Sequence, residues 1–184
     1  MRRAAILLAC LLPFAAAAET CPPPPANIEA RARLMAEIRI APDEAAARLL
    51  SGQLWRLWAT APDARAQAML DRGMARRGAY DFEAAKAAFD DLVAYCPDYA
   101  EGWNQRAFVA FLRGDFGNAL EDLEVALSLA PDHIAAKAGL ALTLMQLGRT
   151  QAGQAVLKEA LAMNPWLPER SLLIPEPEAP GEDL

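Results

Sequence analysis

Three prolines, Pro97, Pro131 and Pro165, follow one another at intervals of 34 residues. A proline ring fixes φ and removes an N–H, so each one ends a helix instead of continuing it. A stop that returns at a fixed interval means that one supersecondary unit is built repeatedly, each copy stacking on the next. Shifting the sequence by the same interval aligns more than the prolines. Ala85 falls on Ala119, and Phe89 on Leu123 and Leu157. Leu92 falls on Ala126 and Ala160, Val93 on Leu127 and Leu161, and Gly114 on Gly148. The pair Asp81-Phe82 falls on Asp115-Phe116.

Within a unit the pattern is two helices. In the middle unit Trp103, Ala107, Ala110 and Phe111 recur at three- and four-residue spacing, which predicts a first helix over Ala100 to Leu112. Arg113-Gly114-Asp115 ends it, with glycine for the turn and aspartate to cap the next helix. Ala119, Leu123, Ala126 and Leu127 stripe the second helix, and Pro131 stops it. Ala107 and Ala119 let the two helices approach closely, and Trp103 and Leu123 are expected to fill the space around that contact, with Trp103 as a core anchor.

These residues resemble the tetratricopeptide repeat family, over roughly 100 residues. Trp103 is similar to the family's large aromatic, Gly114 to its turn glycine, and Asp115-Phe116 to the acidic-aromatic pair that follows. Ala119, Leu123, Ala126 and Pro131 complete the match. The expected units are 66–99, 100–133 and 134–167. The first departs at Tyr80, where glycine is usual, and at Arg76, where an aromatic is usual. The third carries Lys137 for the aromatic and Gly153 for the small alanine. A helical glycine costs about 1 kcal/mol relative to alanine, so the third unit is expected to be the loosest. The resemblance implies an all-α fold, a right-handed superhelical array of antiparallel helix hairpins.

Upstream, 27–62 reads as a further helical hairpin, a degenerate unit or N-terminal cap, broken at Ala41-Pro42-Asp43. Trp55 and Trp58 are expected to pack on the first unit. Pro22 to Pro25, within a linker over 19–26, favour a stiff extended segment. After the third unit, 168–184 supplies Leu172, Leu173 and Ile174 to cover the last helix, then a proline-rich acidic tail.

The first 18 residues are read separately. Arg2 and Arg3, an apolar run from Ala4 to Phe14 and Ala16-Ala17-Ala18 have the form of a cleaved signal peptide, with the cut after Ala18. The expected location is an exported compartment, periplasmic or secreted, and the mature form is expected to be soluble with no membrane span. Export leaves Cys21 and Cys96 in an oxidising space, where they are expected to pair with each other, two free thiols or an intermolecular bridge being the alternatives. The net charge of −6 and pI of about 4.9 disfavour a nucleic-acid partner, which needs a basic face.

The chain is poor in catalytic constellations. His133 is the only histidine and is expected as an exposed or capping residue at a helix start. Glu83, Asp90, Asp91, Glu121, Asp122 and Glu124 read as a solvated face. No cofactor or metal is expected, and no enzymatic activity. The family resemblance instead implies that the first helices of the units line a concave surface for a protein or peptide partner. Met74, Arg77, Asn104, Phe108, Phe111, Leu142 and Met145 are the candidate groove residues, with Leu70 and Glu101 among further positions on that side. Only Asn104 and Arg77 remotely suit the carboxylate grip of some family members, so the groove is expected to take an apolar segment, with little effect of salt. The alternative is a structural or self-associating subunit without a transient ligand; the sequence sets no oligomeric state.

Overall fold

The structure is a computed structural model and describes residues 20–175. The expected signal peptide with its cleavage point and the acidic tail beyond Pro175 lie outside the described residues. Among these residues there are eight α-helices and no strand. They form four hairpins: α1 (Ile28–Arg39) with α2 (Glu44–Trp58), α3 (Ala64–Gly78) with α4 (Phe82–Tyr95), α5 (Ala100–Leu112) with α6 (Phe116–Leu129), and α7 (Ile134–Gln146) with α8 (Thr150–Met163). A short 3-10 helix, Pro168–Leu172, follows. None of the helices is long and apolar enough to cross a membrane.

Local chemistry sets the helix starts. Asp43, Asp63, Asp81 and Asp115 each accept the free N–H three residues on, from Ala46, Ala66, Ala84 and Asn118. The turns inside the three repeat units take left-handed backbone, which the α1–α2 turn does not. Gly114 and Gly148 supply it at φ +76° and +75°. Tyr80, at the matching place in the first unit, takes φ 60° with a side chain attached, at a cost glycine does not carry.

Packing follows the repeat. Leu70, Phe89, Leu92 and Val109 share a buried cluster that joins α3 and α4 to α5. The Phe89 ring lies against the bare backbone of α3, where a Cβ on Gly73 would fall 2.4 Å from it. Phe89 and Tyr99, not Trp103, are the buried aromatics of this cluster. Trp103 is only half-buried. Its Nε1–H donates to the Pro97 carbonyl at 2.8 Å, and the Arg106 guanidinium lies 4.7 Å from its ring. It sits at the rim of the cluster of Ala107, Leu123, Ala126 and Ala136 because its indole N–H needs a polar partner.

The carboxylates are not all solvated. Asp122 is buried and accepts twice from Arg106, at 2.8 and 2.6 Å. The same guanidinium reaches Asp90 at 3.1 Å, so Arg106 on α5 holds both α4 and α6. Paired hydrogen bonds of this kind fix geometry as well as energy.

The N-terminal hairpin lies elsewhere than its place in the sequence suggests. Leu34, Ile38, Leu54 and Trp58 form a buried cluster with Ala100, Ala130 and Ile134, and Met163, Trp166 and Leu167 pack on it. These are the ends of α5 to α8 and the segment after them. Trp58 stacks on His133, ring centroids 4.2 Å apart, not on the first unit as expected. Polar contacts follow the same path: Arg31 to Asp132 at 3.1 Å, Asn164 to Ser51 at 3.3 Å and Arg170 to Glu44 at 2.9 Å. The hairpin is a brace across the second and third units. Ahead of it, the stretch Pro22 to Pro25 leads from Cys21, whose Cα is 5.2 Å from that of Cys96. That separation is inside the roughly 4.4–6.8 Å that a disulfide spans.

Gly153 is a close-approach residue. A Cβ there would fall 2.7 Å from the Ala141 carbonyl oxygen and 2.7 Å from Met145 Cγ. Alanine has the higher helix propensity, by about 1 kcal/mol, but a backbone oxygen cannot turn aside as a side chain can. Gly153→Ala is therefore expected to lower stability, by about 1–3 kcal/mol through overpacking, as read from urea denaturation. A gain in stability would mean that α7 and α8 separate without cost.

Candidate protein-binding groove

The first helices of successive units lie beside one another, α3 by α5 and α5 by α7. Their shared side carries a cavity of about 340 Å³. Five of the seven residues expected in a groove line it: Arg77 from α3, Asn104, Phe108 and Phe111 from α5, and Leu142 from α7. The other two do not. Met74 packs against the buried cluster around Phe89, and Met145 is turned to α8, beside Gly153. Leu70 is likewise wholly buried in the core.

The sequence reading missed one end of the cavity. Trp55 from α2 and Leu167, Pro168 and Glu169 from the C-terminal segment also line it. The brace and the 3-10 helix thus supply part of the wall of a space otherwise lined by the repeats. Trp55, Pro168 and Glu169 lie outside the 34-residue pattern, and Leu167 is its last position, so the pattern does not point to them.

Most of the wall is apolar, and Phe108 is 45% exposed. The polar groups behind it are tied to one another. Glu101 is fully buried, although its position suggested the groove side. It accepts from Asn104 at 2.9 Å and from Gln105 at 2.5 Å. Its Oε2 is 2.8 Å from His133 Nε2. His133 is buried too, not exposed; its Nδ1 accepts the Ala136 N–H at 3.3 Å and so caps α7. With Nδ1 accepting, the ring proton sits on Nε2 and is donated to Glu101. Arg77 donates to Gln105 and lies over the Phe108 ring, 4.9 Å from its centroid. Burial draws the Arg77 guanidinium below its ordinary value, and Glu101 pulls the other way. Burial first, then Glu101 and Asp71, pushes the Tyr99 hydroxyl well above its ordinary value. That hydroxyl donates to the Trp58 carbonyl at 2.6 Å and pins the end of α2.

These features define a class: an all-α array of stacked helix hairpins with a bounded apolar cavity on the side of its first helices. Residues 110–169 match the family model described as tetratricopeptide repeat. A tetratricopeptide repeat-containing protein of Rhizobium etli is 38% identical over 68 residues, 37% of this chain and 33% of the relative. A tetratricopeptide repeat protein 36 homolog of Nematostella vectensis is 39% identical over 67 residues, 36% of this chain and 37% of the relative. The chain thus spans about a third of the length of the curated relatives it matches. Among solved structures, the TPR2B domain of yeast Sti1 in its pHsp70 complex has a TM-score of 0.54 at 19% identity, covering 55% of this chain and 81% of that one. The MamA protein has a TM-score of 0.51 at 21% identity, covering 81% and 80%. At such identities the likeness is one of fold. The fold is a tetratricopeptide-like helical array, and the matches support that family for its repeats.

The Glu101 network is open to a direct test. Glu101→Ala strands the donors of Asn104, Gln105 and His133 in a buried place. The expected loss is about 3 kcal/mol, in the range for breaking a buried polar set by removing one partner. Urea denaturation reads it, and a loss below about 1 kcal/mol would mean that water enters and satisfies those donors.

Proposed function

We propose that this chain is an exported, non-enzymatic adaptor that holds a segment of a partner protein in the cavity between α5 and α7. The observation that carries the reading is the convergence of Arg77, Asn104, Phe108, Phe111 and Leu142 on one bounded space, with the Phe108 ring nearly half exposed. An aromatic left in water beside an apolar hollow is the usual form of a recognition site. Tetratricopeptide arrays are protein-interaction modules, and the yeast Sti1 domain of the same fold is a peptide-complex example. The partner surface is apolar and does not depend on a free carboxylate. Arg77 and Asn104 are already engaged, with Gln105 and Glu101 respectively, which counts against a carboxylate grip built on them.

The test uses a partner captured by cross-linking in the exported compartment. In calorimetry Phe108→Ala is expected to weaken binding by at least about 1 kcal/mol, with helical content preserved because the ring is not core. Unchanged affinity would move the binding surface off this side of the array.

Export and pairing of Cys21 with Cys96 belong to the same proposal. The supporting observations are the basic-apolar-alanine leader and the approach of the two cysteines. Closing a loop with a sequence separation of 75 contributes roughly 4 kcal/mol on the chain-entropy account. The intact mass of the unreduced exported protein is expected to start at Glu19 and to show no thiol that alkylates after denaturation. A start at Met1 would remove the export argument, and two alkylated thiols would remove the bridge.

A further inference from the structure

The segment after α8 is firmly held at its start and loosely held beyond it. Asn164 is buried, donates to Ser51 at 3.3 Å and accepts the Trp166 N–H at 3.0 Å. Trp166 and Leu167 pack on the buried cluster of the brace. From Pro168 onward the footing changes, because no residue of the 3-10 helix is buried. Leu172 and Ile174, expected to cover α8, are 47% and 57% exposed. The ties that remain lie at the surface. Arg170 pairs with Glu44, and the Gln154 amide donates to the Leu172 carbonyl at 2.9 Å and accepts the Ile174 N–H at 2.7 Å. Water can replace each of these bonds, so they hold the segment weakly. One group opposes the closed position. Glu169 Oε2 is out of solvent with no hydrogen-bond partner, so its carboxylate has lost hydration that nothing replaces.

We propose that residues 168–174 form a lid on the cavity, hinged at Leu167 and displaced when an apolar group enters. This rests on the adaptor reading above for what enters. Pro168 and Glu169 line the cavity, so the segment is part of its wall. Leu167, at φ −56° and ψ 138°, is a single extended residue between the anchored part and the 3-10 helix. Without an occupant, the lid keeps part of the apolar wall from water, and that cover favours closure. An entering apolar group supplies the same cover. The closed lid then keeps only its cost at Glu169, and swinging out returns that oxygen to water. Segments with few buried contacts and exposed hydrogen bonds are the ones that open locally. Filling the cavity and opening the lid are therefore coupled, each favouring the other.

Amide exchange of Ile174 tests this by nuclear magnetic resonance on the full chain, since that N–H is held to Gln154 across the lid's edge. The probe is N-phenyl-1-naphthylamine, a neutral apolar dye that fluoresces when bound away from water. Glu169→Met removes the stranded charge and is expected to slow Ile174 exchange about tenfold in the free protein. Saturating dye is expected to speed Ile174 exchange about threefold or more. Exchange at Leu157, fully buried in α8, is expected not to change. Phe108→Ala is expected to weaken dye binding. Both variants are compared at equal helical circular dichroism. Ile174 exchange that the dye leaves unchanged or slows overturns the lid. Exchange untouched by Glu169→Met, or no dye binding, overturns it as well. Dye binding that Phe108→Ala weakens, with no response at Ile174, overturns the lid and leaves the adaptor reading standing. Dye binding untouched by Phe108→Ala overturns both.

Discussion

A single buried carboxylate holds the second unit, the third unit and the N-terminal hairpin in register. Glu101 is in the first turn of α5, and it meets His133 at the start of α7. Trp58 from α2 stacks on the other side of that imidazole, and Arg31 from α1 lies 4.1 Å over Trp58 while pairing with Asp132. Each step is directional, as hydrophobic contact is not. The apolar cluster of Leu34, Ile38, Leu54 and Ile134 supplies the larger part of the attraction, but it would tolerate a sliding hairpin. The polar chain fixes where the hairpin stops, and that position places Trp55 in the cavity wall.

The repeat was legible because its signals are local. Pro97, Pro131 and Pro165 stop helices by their own chemistry, the aspartate caps act within three residues, and the apolar stripes have helical period. The hairpin over α1 and α2 was legible as a hairpin for the same reason. Its docking place was not, since an apolar stripe says that a helix has a buried face and not what buries it. Trp58 and His133 are 75 positions apart, and neither belongs to a spacing pattern that links them. Trp103 shows the opposite error. Its position in the pattern matches a core residue, but its indole N–H is held by the Pro97 carbonyl at the rim.

Candidate site residues were read from helical spacing, and spacing alone cannot separate a groove from the seam between the two helices of a hairpin. Phe108 and Phe111 fall on the open side of α5, whereas Met74 and Met145 turn into the seams beside Phe89 and Gly153. A helical side chain leans toward the turn before it, so two residues one helical turn apart can meet different neighbours. Gly153 was open to misreading in the same way. Propensity describes a helix alone, but the Ala141 carbonyl opposite makes glycine the residue that lets α7 and α8 touch.

The brace also explains how so short an array presents a site. Three hairpins of 34-residue period bury little apolar surface, and an array's end units each leave a face without a neighbour. Here the extra hairpin covers the ends of α5 to α8 instead of extending the stack. One consequence is thermodynamic, since the clusters of the second and third units gain a common lid. The other is geometric. A free superhelix bends with small changes at each repeat interface, whereas an array strapped across two interfaces holds its first helices at set distances. The strap's polar ties at Arg170–Glu44 are exposed and weak on their own. Its hold rests on the buried cluster and the Glu101–His133 joint, so the shape of the cavity is set from behind its wall.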